Sequence, residues 1–425
     1  MVVTVLLVLF FATIFTQLPI AIVLGFSSLC AIIASGTYPL TIVASRMFSG
    51  IDSFILLAVP MFILAARLLN ESGATLYIFS FANSLVGRFP GGLGHTNVLA
   101  SIFFAGISGS AVADAAGLGR VEIEAMTAKG YSLEFSSSIT LASSIIGPII
   151  PPSIPMVIYG AMAGESIVKL FAGGLIPGLL MGFLLMVTIY IIARRTIGFP
   201  APEYAKLSEI WRTFKGAILP IMVPIIILGG IFTGFYTPTE ASIMAVFYVF
   251  LLDLFIYKKL KFSDYKRILL DTIIDSGVVL IIISTASVFG WLLAIEHIPN
   301  MLLDVLLGFA LPPLLILILV NLLLLFLGCF VEGIAIMIIF IPTLVPLMTQ
   351  LGFSPIYFGV IMILNIMIGA VTPPMGICLF VISNITNVPV SRLSRAIVPF
   401  YIPLVIALIL CILFPSIVMF FPNML

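Results

Sequence analysis

Residues 147–153 read GPIIPPS, set between the apolar flanks LASSII and IPMVIYG. One glycine and three prolines in seven residues interrupt a helix, because proline lacks the backbone N–H and its ring clashes with the preceding turn. The interruption recurs. Moving along the chain by 222 residues (369 − 147) carries Gly147, Pro151 and Pro152 onto Gly369, Pro373 and Pro374, in GAVTPPM (369–375). The same offset carries Gly106 onto Gly328, Thr127 onto Thr349, Gly130 onto Gly352, Ser132 onto Ser354 and Pro177 onto Pro399, without a gap. TAKGYS (127–132) thus answers TQLGFS (349–354). Matched glycines and prolines in one ungapped register point to an internal duplication.

The chain has 425 residues, of which 62% are hydrophobic and 8% charged. A soluble domain carries about a quarter charged residues, so this is a polytopic membrane protein. Apolar runs of roughly 20 residues, the length of a spanning helix, recur from end to end. The longest polar stretches, Arg194–Lys215 and Lys258–Arg267, read as loops. Their basic residues (Arg194, Arg195, Lys206, Arg212, Lys215; Lys258, Lys259, Lys261, Lys266, Arg267), with Arg392 and Arg395 further on, mark the cytoplasmic side. Clusters flanked this closely by spans face lipid headgroups and water, not nucleic acid. Cys30, Cys329, Cys378 and Cys411 sit in apolar runs without metal-type spacing. The opening MVVTVLLVLFFATIF lacks a basic n-region and reads as a retained first span, not a cleaved leader.

Five crossings separate the two copies when spans are counted at 135–163, 170–193, 216–235, 238–257 and 271–296. An odd number predicts that the second copy is upside down. The charges agree: the first copy carries Arg120 and Lys129, where the second has Pro342 and Leu351. Upstream of each interruption lies a small-residue stretch. In AGISGSAVADAAGLG (105–119), Asp114 is costly against lipid, so 93–130 reads as a re-entrant hairpin with Ser108, Gly109 and Ser110 at its tip. In LGCFVEGIAIM (327–337), Glu332 takes the place of Ser110.

Non-helical backbone at membrane depth is tolerated only where protein or a water-filled cavity covers it. Freed carbonyls suit a small hard cation such as Na⁺, and the helix N-terminus after the break suits an anion. Each hairpin tip with its interruption therefore reads as one cation site, to which the Thr372 hydroxyl adds a donor in the second copy. A plain kink and close packing of small residues are the alternatives. His95 and His297 fit no metal pattern, and His297, between Glu296 and Pro299, reads as a span end. No nucleophile elbow, P-loop or H-E-x-x-H occurs, so the chain is not expected to be an enzyme or an ATP-driven pump. An ion gradient is the remaining energy source.

DSFILLAVPMFILAARLLNESG (52–73), GISGSAVADAAGLG (106–119), GPIIPPSIPMVIYG (147–160), GGIFTGFYTPTEAS (229–242) and GAVTPPMGICLF (369–380) together resemble the DctM-type large membrane subunit of tripartite ATP-independent periplasmic (TRAP) transporters. The resemblance spans the chain in order. It implies a bacterial inner-membrane, Na⁺-coupled symporter of organic acids such as C4-dicarboxylates, sialic acids or other carboxylated sugars. Its partners would be a small four-helix membrane subunit (DctQ type), expected as a separate chain, and a periplasmic substrate-binding protein (DctP type).

The implied fold is all-α and elevator-type, with inverted repeats, re-entrant hairpins and broken helices. Scaffold spans would occupy 1–92, the first transport repeat 93–193, scaffold and connecting helices 194–313, the second repeat 314–396, and a C-terminal span 397–425. Carried over residue by residue, one Na⁺ site would use Ser108, Gly109, Ser110, Gly147, Ile150 and Pro152. The other would use Gly328, Glu332, Gly333, Gly369, Thr372 and Met375. Substrate would bind between the hairpin tips, against Ser108, Asp114, Pro151, Ser153, Pro373 and Pro374. A stand-alone Na⁺-coupled anion transporter and a channel are the rival readings.

Overall fold

Apolar runs without interior glycine–proline clusters become helices, since in lipid each backbone group has to be satisfied within its own segment. The computed structural model describes residues 2–14, 18–196, 199–200, 204–308 and 311–425. Among the described residues it contains helices and turns and no strand. Among the described residues, six helices are long and apolar enough to cross a membrane: Phe54–Glu71, Ile167–Arg195, Leu207–Phe232, Pro238–Tyr257, Phe262–Ile295 and Gly333–Gln350. Shorter apolar helices, among them Pro313–Gly328 and Pro355–Ala370, accompany them.

The polar stretches are less loop-like than their composition implies. Arg194 and Arg195 form the last turn of Ile167–Arg195, where their charge suits the helix dipole. The span expected from 216 starts at Leu207. Glu209 and Arg212 pair at 3.8 Å across one turn, and Trp211 stacks on Phe214, so local i,i+3 contacts hold these polar residues in a helix. Lys258–Arg267 is likewise divided. Asp253 accepts from the amides of Lys259 (3.2 Å) and Leu260 (3.4 Å) and from the Tyr265 hydroxyl (2.6 Å), fixing the turn before Phe262–Ile295 begins.

TPTEA is a helix start. Thr237 caps Pro238–Leu252, its hydroxyl accepting from the Glu240 amide while the Glu240 carboxylate accepts from the Thr237 amide at 2.8 Å. Thr239 donates to the Phe54 carbonyl at 3.0 Å and so fastens this helix to the run that opens at Asp52.

Local structure agrees at the offset of 222 residues. Gly92–Ser108 and then Ala111–Ala116 with Leu118–Ala128 make the first hairpin; Pro313–Gly328 and Gly333–Gln350 make the second. The turns that follow are the same turn. The Gly130 amide reaches the Thr127 carbonyl and the Gly352 amide the Thr349 carbonyl, both at 3.0 Å, with φ of +90° and +89° at the two glycines. Interrupted helices come next: Leu133–Ser144 and Ile154–Ala163 in the first copy, Pro355–Ala370 and Ile377–Thr386 in the second. The first hairpin's returning arm bends at Gly117, where a Cβ would stand 2.5 Å from the Asn70 carboxamide nitrogen. Ile339 occupies the matching place in the second, and that arm runs on unbroken.

The copies pack crosswise. Ile154–Ala163 lies against Gly333–Gln350, and Ala111–Ala116 against Ile377–Thr386. Glu134, at the start of the first interrupted helix, pairs at 3.8 Å with Arg392 in Val390–Ala396, the short helix that follows the second, and the Tyr159 hydroxyl donates to the Pro355 carbonyl at the start of the second at 2.6 Å. Ala58–Glu71 and Phe262–Ile295 pack together, and Ala58–Glu71 also touches the first hairpin.

Candidate functional site

Each hairpin tip closes on the interruption of its own copy. Gly109, at φ +57°, accepts from the Ile154 amide at 3.4 Å. A Cβ on Gly109 would stand 2.6 Å from the Pro152 carbonyl oxygen. In the second copy the Met375 amide donates to the Cys329 carbonyl at 3.0 Å. There a Cβ on Gly369 would lie 2.7 Å from the Gly328 Cα, so the two backbones touch directly. Glycine permits both approaches because it has no side chain to displace.

Buried amides fasten the outgoing hairpin arms to the interrupted helices. Asn97 donates to the Thr140 hydroxyl at 2.7 Å and accepts from Ser143 at 2.6 Å. Asn321 accepts at both its carboxamide oxygen and its carbonyl from Asn365. Ser143 and Asn365 are equivalent at the 222-residue offset. The sequence reading missed these pairs; a lone asparagine within an apolar run was the available signal.

Asp114 is buried and accepts from the Ser108 hydroxyl. Its other oxygen, Oδ2, lies against Gly147, 2.5 Å from where a Cβ would be, and has no hydrogen-bond partner among the described residues. Ser110 caps the returning arm, accepting from the Ala113 amide at 3.4 Å. A carboxylate oxygen without a partner, beside an interrupted backbone and a serine hydroxyl, is an oxygen-rich setting that fits a hard cation. In the second interruption the carbonyls of Ala370 and Thr372 both turn toward Gly376, each 2.8 Å from its would-be Cβ. The Thr372 hydroxyl donates to the Ile368 carbonyl at 2.7 Å.

The cover over the two is unequal. Residues 147–153 are all buried, while Pro374 and Met375 are exposed.

Between the tips lies a cavity of about 540 Å³. Ser108–Ala113 and Glu332–Ile334 bring the two tips to its wall, Pro148 and Cys378 the interrupted helices. Arg67, Asn70 and Glu71 come from Ala58–Glu71 and Asp275 from Phe262–Ile295. Of the residues expected to touch substrate, Ser108 is in the wall. Asp114, Pro151, Ser153, Pro373 and Pro374 are not. Asp114 faces Gly147 instead, and the Ser153 hydroxyl donates to the Pro148 carbonyl while capping Met156 at 3.2 Å. Of the expected cation ligands, Gly147 faces Asp114 and Pro152 lies against Gly109 of the first tip, while the Ile150 side chain packs against Gly178. Gly328, Gly369, Thr372 and Met375 gather at the second, with Glu332 and Gly333 at the cavity edge.

Known proteins resemble this chain in sequence and in fold. The family model described as "Tripartite ATP-independent periplasmic transporter, DctM component" matches residues 7–417. The sialic acid TRAP transporter large permease protein SiaM of Vibrio cholerae is 42% identical over 96% of this chain and 96% of its own length. The sialic acid TRAP transporter permease protein SiaT of Haemophilus influenzae is 43% identical over 89% of this chain, which spans 62% of that longer protein. In fold, the crystal structure of the Alcanivorax borkumensis YdaH transporter aligns with a TM-score of 0.62, covering 88% of this chain and 87% of that one at 12% identity. Interrupted helices, hairpin tips and the sequence along nearly the whole chain converge on one conclusion: this protein belongs to the DctM family, the large permease components of tripartite ATP-independent periplasmic transporters.

Proposed function

We propose that this permease takes up an organic acid anion across the bacterial inner membrane, driven by an inward Na⁺ gradient. A periplasmic binding protein delivers the anion, and a small four-helix membrane subunit is paired with the chain. The observation that carries the reading is the convergence of both hairpin tips and both interruptions on one cavity, with the unpartnered Asp114 oxygen behind the first tip. Oxygen donors drawn from carbonyls, hydroxyls and single carboxylates suit Na⁺; calcium sites gather several carboxylates. The Tyr159–Pro355 and Glu134–Arg392 contacts support an inverted second copy, because they bring the start of the second interrupted helix to the far part of the first, and the start of the first to the short helix that follows the second. Alternating access then follows from sliding the hairpin-bearing repeats against the remaining helices. The relatives named for sialic acid make an acidic sugar the first substrate to try.

The test is uptake of radiolabelled sialic acid, and separately of a C4-dicarboxylate, into proteoliposomes holding the chain and its small subunit, with loaded binding protein outside. Accumulation that needs both the Na⁺ gradient and the binding protein is expected. Accumulation without the binding protein makes the chain a stand-alone transporter, and gradient-independent equilibration makes it a channel.

A further inference from the structure

The run ARLLNESG (66–73) ends the helix Ala58–Glu71, and its polar side chains have no part in either cation site. Three of them, Arg67, Asn70 and Glu71, face the cavity. Among the described residues the charged groups in the wall are Arg67, Glu71, Asp275 and Glu332: three carboxylates and a single cation. An anion entering such a wall is repelled at three places and attracted at one. Glu71 is already answered by Arg267 at 2.7 Å, outside the wall. Arg67 donates to Asp275 and stands 3.5 Å from Asp271, so its guanidinium is aimed and charged but held by carboxylates a ligand can replace.

Asn70 follows Arg67 by three residues and so shares its helix face. Its carboxamide oxygen is buried without a hydrogen-bond partner among the described residues, a condition that native structures leave for a ligand or water far more often than for nothing. A planar guanidinium beside a carboxamide matches a carboxylate flanked by a hydroxyl or amide, the head of a hydroxy acid or an acidic sugar.

Resting on the function proposed above, we propose that Arg67 receives the carboxylate of the transported anion, which takes the guanidinium from Asp275, while the Asn70 oxygen accepts from the hydroxyl or amide beside that carboxylate. The competing role for Arg67 is a staple between two helices, and the two roles differ in sign at Asp275. Removing Asp275 frees the guanidinium for an anion but breaks a staple.

The experiment titrates sialic acid against the purified complex with its small subunit, in saturating Na⁺, and reads the concentration giving half the maximal rise in melting temperature. Arg67→Gln is expected to raise that concentration about ten- to a hundredfold, the loss of a charge-assisted pair. Arg67→Lys should recover part of it, Asn70→Ala should raise it less, and Asp275→Asn should lower it. If Arg67→Gln does not fold, the charge-balanced pair Arg67→Gln with Asp275→Asn carries the test. An unchanged midpoint in Arg67→Gln, or a rise in Asp275→Asn matching it, overturns the inference while leaving transport by the unaltered chain intact. No uptake and no melting response to either acid in the unaltered chain overturns the proposed function, and this inference with it.

Discussion

Asn365 donates from one carboxamide to two acceptors on Asn321, its backbone carbonyl at 2.6 Å and its side-chain oxygen at 2.8 Å. Both residues are buried. The pair fastens the outgoing arm of the second hairpin to the interrupted helix behind it. Asn365→Leu strands those acceptors, so the melting temperature of the purified complex should fall. A double-mutant cycle with Asn321→Leu should return a coupling of about 0.6–1.7 kcal/mol, the range for polar contacts between membrane helices. Additive losses would mean that the contact adds nothing.

Gly109 and Gly130 both adopt positive φ, +57° and +90°, yet a Cβ at Gly130 meets nothing within 4 Å whereas at Gly109 it meets the Pro152 carbonyl. Alanine at either position bears the left-handed penalty of about 1–2 kcal/mol. Gly109→Ala also pushes the tip off the interruption, so its uptake rate should fall at least about tenfold below that of Gly130→Ala. Equal rates would show that the approach of tip to break does not matter for transport.

Asp114→Asn removes the charge from the oxygen facing Gly147. With uptake measured against Na⁺ concentration, half-activation should move up by about tenfold or more, because ligand charge sets much of a hard cation's affinity. Ser110→Ala and Glu332→Gln should weaken the Na⁺ dependence as well, with the protein still folded and inserted. Wild-type Na⁺ curves in all three would remove the cation assignment from both tips.

Arg267 and Glu71 pair at 2.7 Å with side chains roughly half exposed. Such a pair contributes at most about 1 kcal/mol. Arg267→Gln should leave melting near wild type, and a large fall would mean that this pair holds the two helices together.

The interruptions and tips were legible because glycine and proline act on the backbone of their own position, whatever surrounds them. GPIIPPS breaks its helix in the structure as it does on paper, and the +222 register holds down to the hydrogen bonds of the Gly130 and Gly352 turns. Side-chain direction was not legible. Ser153 resembles a ligand in sequence, but its hydroxyl is used within the interruption, on Pro148 and Met156. Arg67 resembles any span-end arginine until helix packing brings it to Asp275, 208 residues away. Arg194–Lys215 misled by composition. Its polarity reads as loop, although LSEIWRTFK (207–215) holds no glycine or proline and carries its own i,i+3 pair.

The unequal cover over the two interruptions implies an order in time. Pro374 and Met375 of the second lie at the surface of the chain, while 147–153 are buried, with Pro148 alone among them reaching the cavity wall. On the proposed function, a sodium ion in the inner seat arrives first and departs last, so the outer seat works as its latch. Tracer sodium loaded before turnover should then chase out in two phases, the slower one quickened by Gly109→Ala. A single phase would mean that the inner seat opens to water at the same moment as the outer.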